Sequence, residues 1–390
     1  MTSDPFFSLP ANSEWNALIG TQGSSVNYAD GYIEAALDLA NLIINEQRIG
    51  QRDTLVLPIL YNARHAIELH LKLVIGLFVG VGVLKSGHVP NHDIASHHRF
   101  LIDAKIPDLT FRCLLEELQP FVDSLAKVDD DGQELRYSTN RDGQKSLEDR
   151  ALVNIAVIRE SLAVLKDSLE RFKYHAIDHC DDFHTGTQTS YLSRKDLYAL
   201  ARTLPKKEMW SEPDFDKCKA AMMKHFDIGS RQFSIALNTI LNRRELKAII
   251  GVETPLIYVS DESAIFLATQ WRLIHPPREQ SELGIDYFNR DFEEIFARQK
   301  VEKSAIDAIL ATLGPDELAD AETVYYLARN RDYPEHYESN LDSKKKEYRA
   351  SGKLDMEVLN LMHKTNFLSA FTHGVAMLGR MDLSEKLRHI

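Results

Sequence analysis

The chain has 390 residues, 44% hydrophobic and 27% charged, with a formal net charge of -12. That length suits two domains and enough apolar material for sizeable cores, and the charge leaves little room for disorder. An acidic surface of this kind argues against a long duplex-DNA face, so any nucleic acid would be gripped locally. The three cysteines, Cys113, Cys180 and Cys218, are odd in number and widely spaced. They give no disulfide framework and point to a reducing, cytoplasmic setting. Met1 to Ser13 lacks a basic flank before an apolar run, so no signal peptide is expected. The most apolar stretch, Leu73 to Leu84, is about half the length that spans a bilayer, so no membrane partner is expected.

Residues 1–24 read as a loosely held arm. A first helix is predicted from about Tyr28 to Arg48, because Ile33, Ala36, Leu37, Ala40 and Ile44 recur at three and four residues. A second helix runs from about Thr54 to Phe78 on the stripe Leu60, Ala63, Ile67, Leu71, Val74 and Phe78. A His-rich connection follows around Gly87 to His98, then a helix from about Thr110 to Lys127. Asp131-Gly132 and Asp142-Gly143 mark turns in a polar segment. A long helix, about Ser146 to His175, carries Leu152, Ile155, Ile158, Leu162, Leu165, Leu169 and Phe172. Four such helices make an antiparallel bundle over residues 25–182.

Residues 183–193 read as a linker and 194–390 as a second, mostly helical domain of unknown type. Helices are expected there at Asp214 to Phe226, Ser230 to Ile250, Asp291 to Leu313, Asp316 to Asn330 and Leu354 to Met381. Leu256 to Val259 has the composition of a short strand. The fold class is mainly α.

The second helix contains RHAIELHLKL. Arg64, Glu68 and Lys72 are four residues apart and share one face, so they can pair. Further on stand His92-Asp93-Ile94, Leu135-Arg136-Tyr137 and Arg141-Asp142-Gly143. In order and spacing, these residues resemble a HEPN-type helical domain over about 25–180. Here an insertion displaces Gly87-His88 from the His92 element, and Ser138 stands where a proline is usual. The resemblance implies a metal-independent endoribonuclease, in a toxin or antiviral defence context, that works as a homodimer on RNA without a cofactor. Its R-x(4–6)-H motif maps onto Arg64 and His70, with a second match at Arg331 and His336.

The chemistry has a physical logic, since a histidine exchanges protons near neutral pH and an arginine holds a phosphate while charge builds on it. Lys72, Arg136 and Tyr137 are the implied substrate contacts. The alternative is a non-catalytic scaffold or regulatory module that binds protein or nucleotide. On that reading Arg64, Glu68 and Lys72 are a salt-bridged face and His70 flanks the core.

His175 and His179 stand at i and i+4, the spacing of two metal ligands on one helix face, although no third ligand announces itself. The bland reading is a helix end where histidine suits the C-terminal dipole. GVGVLKSG, from Gly80, fails as a phosphate loop because Leu84 stands where the glycine before Lys85 must be.

Overall fold

The computed structural model describes every residue except 1–3, 5, 10, 11, 140–142, 149 and 277–291. Helices take up 70% of the described residues, and no strand occurs among them. No helix among them is long and apolar enough to cross a membrane. The chain forms two compact units, Met1–His184 and Thr185–Ile390.

The first unit is built from α1 (Ser25–Asn45), α2 (Arg52–Gly80), α3 (Ile94–Asp103), α4 (Leu109–Ala126) and α5 (Ile155–Phe183). Side-chain caps start four of them. Ser24, Asp93, Asp108 and Asn154 each accept a backbone N–H of the first turn, relieving donors that have no partner inside the helix. The core runs along one stripe of each helix, including Ile33 and Ala36 of α1, Ile67 and Phe78 of α2, Leu118 of α4, and Leu169 and Phe172 of α5. Tyr32 packs on His65 while Asp30 approaches His70, so α1 and α2 run antiparallel.

Two expectations shift here. The His-rich connection is partly helix, because Asp93 caps α3 and Ile94 to Asp103 form nearly three helical turns rather than a loop. The long helix starts at Ile155 rather than near Ser146 and ends at Phe183 rather than His175. Asn154 accepts from Ala156 and Val157 and fixes that start. Leu152, expected in the seam, is 93% exposed.

The second unit contains α6 (Arg194–Thr203), α7 (Pro213–Phe226), α8 (Ser230–Asn242), α9 (Arg244–Ile249), α10 (Asp261–Ile274), α11 (Phe292–Thr312), α12 (Pro315–Arg329), α13 (Tyr337–Ser351), α14 (Leu354–Met362), α15 (Phe367–Met377) and α16 (Met381–Arg388). The single helix expected over 230–250 is broken at Arg243, whose backbone is extended. The one expected over 354–381 is split into α14 and α15, and α16 follows the turn at Gly379 (φ +76°).

Residues 256–259 form no strand. The N–H groups of Tyr258 and Val259 donate to the buried carboxylate of Asp320 at 2.7 and 3.0 Å instead of to a ladder, and the Tyr337 hydroxyl donates to the same carboxylate. α12 and α15 pack so closely that a Cβ on Gly374 would stand 2.1 Å from the Val324 carbonyl oxygen.

Candidate functional site

Arg64 is 1% exposed, and its donors are taken up inside the unit. Nε donates to the Asp129 carbonyl at 2.7 Å. One terminal nitrogen donates to the His92 carbonyl at 2.6 Å and to the Asp130 carbonyl at 2.9 Å. The other donates to Glu68 at 3.1 Å. Gly132 lies against the same guanidinium. With φ +81° and a Cβ position only 3.2 Å from an Arg64 nitrogen, that turn has no room for a side chain.

Glu68, 2% exposed, is the second half of this hub. Besides Arg64 it accepts from Lys72 at 2.6 Å and from His92 Nδ1 at 2.9 Å. Burial pushes the carboxyl up, but hydrogen bonding from His65, Lys72 and His92 and the Lys72 charge outweigh it, and Glu68 is held well below the usual carboxylate range. Close by, Asp129 accepts from the N–H groups of Glu134 and Leu135 and closes the turn that presents its carbonyl to Arg64. The exposed Arg136 donates to the Gly132 carbonyl and lies over the rings of Tyr61 and Tyr137. Residues from two of the short motifs, on α2 and before α3, and the turn after α4 therefore meet around one guanidinium. Arg141 and Asp142 lie outside the described residues.

His70 belongs to a different cluster. Six residues after Arg64, it points about 120° away around α2. It too is 1% exposed. Nδ1 is 2.8 Å from the Ala66 carbonyl, and Nε2 is 3.3 Å from Asp30 without the alignment of a hydrogen bond. Asp30 in turn accepts from Lys173, a lysine 2% exposed on α5, at 2.6 and 2.7 Å. Burial is the main cause that lowers the His70 pKa, so the ring is neutral at pH 7. Arg64 and His70 share no partner among the described contacts, and the fold does not bring them to one surface.

The histidines at the end of α5 converge on a carboxylate. Asp108, the cap of α4, lies 2.8 Å from His175 Nε2 and 3.3 Å from His179 Nδ1, and accepts the Phe111 N–H at 2.7 Å. Burial raises its carboxyl, but His175, His179 and that N–H hold it well below the ordinary range. Among the described residues no group of three or more His, Cys, Asp or Glu is arranged to hold a metal ion. In the other cluster, His97 and His98 are buried, bonded to the carbonyls of Asp93 and Leu115. Arg331 is exposed in a left-handed backbone (φ +58°), and His336 turns to Asp332 at 2.9 Å.

Sequence reasoning missed Asp30, Lys173 and Asp108. Lys173 left a signal, a cation among the apolar positions Leu169, Phe172 and Ala176. Asp108 left another, standing three residues before Phe111 at the head of an apolar-periodic run.

An open concavity of the first unit lies elsewhere. It is a groove of about 540 Å³ between α2, α4 and the start of α5, lined by Leu57, Leu60, Phe121, Leu125, Val157 and Leu162 among others. Its lining is almost wholly apolar. Among the described residues that line it, Arg150 alone is charged. No protein-family model, no curated protein and no solved structure matches the chain.

Proposed function

We propose that this chain is a non-catalytic helical interaction module, and that the groove between α2, α4 and α5 takes up an apolar polypeptide segment. One contrast supports this reading. The two side chains best suited to RNA cleavage, Arg64 and His70, are each 1% exposed and spent on internal partners. The apolar groove is open, and its volume falls within the roughly 300–1,000 Å³ of ordinary binding pockets. A metal-independent ribonuclease needs an arginine that reaches phosphate and a histidine that meets a hydroxyl. The described lining of the groove holds Arg150 but no histidine, and its leucine, valine and phenylalanine match the apolar face of a helix or an extended segment.

The test is titration of the full chain with anilinonaphthalene sulfonate, an apolar anion suited to an apolar groove lined by Arg150. A single saturable site is expected. Val157 is 60% exposed, so Val157→Asp puts a charge in the groove without burying it in the core. That variant is expected to bind the dye about tenfold more weakly, roughly 1.4 kcal/mol, with unchanged circular dichroism. Absence of saturable binding, or wild-type affinity in both Val157→Asp and Leu57→Asp, overturns the reading.

A further inference from the structure

In the second unit, helix α15 begins with uncommitted donors. The Phe367 N–H turns back to the Lys364 carbonyl at 3.0 Å. The next two, the N–H groups of Leu368 and Ser369, have no acceptor among the described residues, and no side chain caps the helix. Both residues line a hollow of about 410 Å³ that α15 shares with α10 and α16. Free donors at the positive end of a helix dipole suit an anion.

A helix start alone is satisfied by water, but Thr372, one turn further on, adds an independent observation. It is 7% exposed and lines the same hollow, yet its hydroxyl has no hydrogen-bond partner among the described residues. Thr239, Thr269, Thr312 and Thr323 each donate to the carbonyl four residues back, at 2.7 to 3.0 Å. Thr372 makes no such bond to Leu368. Its hydroxyl is not sealed from solvent as the unpartnered Nε2 of His70 is, so it meets the hollow. A nearly buried hydroxyl without a partner is costly, and an acceptor placed there relieves it.

The charges around these donors come from three helices. Arg272 of α10 and His373 of α15 line the hollow and make no hydrogen bond or ion pair with a described residue. Arg388 of α16 gives one bond to Glu385, at 3.0 Å, and is 56% exposed. Two guanidiniums, one of them shared with Glu385, and a helix start balance a dianion better than a single carboxylate. The terminal oxygens of a phosphate also provide acceptors enough for two N–H groups, a guanidinium and the Thr372 hydroxyl. A phosphate group alone does not fill the hollow. At Thr365 it meets a second hollow of about 410 Å³, lined by Tyr325, Tyr326 and Asn366 among others, with room for an organic part.

We propose that the hollow at the start of α15 binds a phosphate dianion, carried by a small phosphomonoester. The phosphoryl oxygens accept from the N–H groups of Leu368 and Ser369 and from the Thr372 hydroxyl, with Arg272 and Arg388 at the flanks. The organic part runs over Thr365 into the second hollow. The site belongs to the second unit and does not depend on the groove of the first.

Isothermal titration calorimetry of the full chain with phenyl phosphate, inorganic phosphate and benzoate tests it. Phenyl phosphate is expected to bind at a single saturable site, at least about tenfold more tightly than benzoate. Arg272→Gln is expected to weaken it about tenfold and Thr372→Val about threefold, as losses of hydrogen bonds to a charged group. Thr372→Val keeps the shape of the side chain and Arg272 has no described bond to lose, so both variants should keep the wild-type circular dichroism. Arg349→Gln, which removes a charge on α13 outside the lining, is expected to leave the affinity unchanged. Inorganic phosphate that binds as tightly as phenyl phosphate supports the site and names the free ion as its ligand. No saturable binding of either phosphate, benzoate as tight as phenyl phosphate, or wild-type affinity in both Arg272→Gln and Thr372→Val overturns the proposal.

Discussion

Arg64 Nε donates to the carbonyl oxygen of Asp129 at 2.7 Å, which ties the middle of α2 to the turn that follows α4. The bond is one of four that hold a guanidinium with almost no contact with water. Removing it leaves a buried carboxylate and three backbone carbonyls short of donors. Arg64→Ala is therefore expected to destabilise the first unit by about 3–5 kcal/mol, measured by urea unfolding. Arg64→Lys should recover little, because one ammonium cannot replace a planar fork that serves carbonyls on two sides. Wild-type stability in Arg64→Lys would refute the hub.

Acid should unfold this protein in two stages. Burial lowers the pKa of His70, His97 and His98, so the unfolded chain binds these protons more readily than the folded one. Their contribution is whole above about pH 6.5, their ordinary value, and falls as pH drops below it. Glu68 and Asp108 have the same sign further down. Their folded pKa values lie below the ordinary 4.5 and 3.8, so stability is lost as pH falls through that region. Thermal midpoints should be flat above pH 7, decline below about 6.5 and drop more steeply below about 4.5. Glu68→Gln should flatten the steeper limb at the cost of lower stability at pH 7. A midpoint constant from pH 7 to pH 5 contradicts the histidine assignment.

The legible part of the fold is the part written in local spacing. Ile33, Ala36 and Ala40, or Ile67, Leu71 and Val74, recur as a helix face must, and their helices lie close to where the pattern puts them. Leu152 fits the same spacing, yet the backbone at Asn154 is extended and starts the helix beyond it. Spacing ranked an apolar residue above a cap, and the cap won. α10 and α13 went unread, although Ser260 caps the first of these with the oxygen that accepts the Ser263 N–H. The hub is half legible for a similar reason. Arg64, Glu68 and Lys72 are four residues apart and announce their pairing. The carbonyls of His92, Asp129 and Asp130 carry no side-chain signature, so nothing in the sequence says that a guanidinium waits for them.

The histidines of α5 are expected to matter for stability rather than for metal. Asp108→Asn keeps the α4 cap in outline but removes the charge that faces His175 and His179. A loss of about 1.5–3 kcal/mol is expected, the range for hydrogen bonds to a charged group. Chelators should leave the melting temperature unchanged. Stoichiometric zinc in the purified protein, or melting on chelation, would reverse this assignment.

RNA digestion without divalent metal separates the module from the nuclease. The wild-type chain is expected to leave single-stranded and tRNA-like RNA intact. His336→Ala is the informative control, since His336 is about a third exposed and Arg331 is exposed. Cleavage that leaves a 2′,3′-cyclic phosphate and disappears in His70→Ala or His336→Ala would restore the ribonuclease reading and identify its histidine.

In the second unit Gly374→Ala should be costly out of proportion to one methyl group. Its Cβ would stand 2.1 Å from the Val324 carbonyl oxygen and 2.9 Å from a Val324 methyl. Helix α15 would have to move off α12, at an expected cost of about 1–3 kcal/mol or more. Differential scanning calorimetry should show that loss, and an unchanged transition would disprove the close approach.

The reach of the Arg64 bonds has a consequence for the order in which the first unit is made. α1 and α2 are neighbours in sequence and can pair as soon as both exist, but Arg64 finds the carbonyls of Asp129 and Asp130 only after residue 130 has been synthesised. Until then the guanidinium keeps its water, and the face of α2 around it stays wet and unpacked. An N-terminal fragment ending at α4 therefore lacks the closing turn and should exchange its α2 amide hydrogens far faster than the full chain. During synthesis the helical hairpin comes first, the turn from Asp129 to Gly132 latches it later, and α5 completes the core after that.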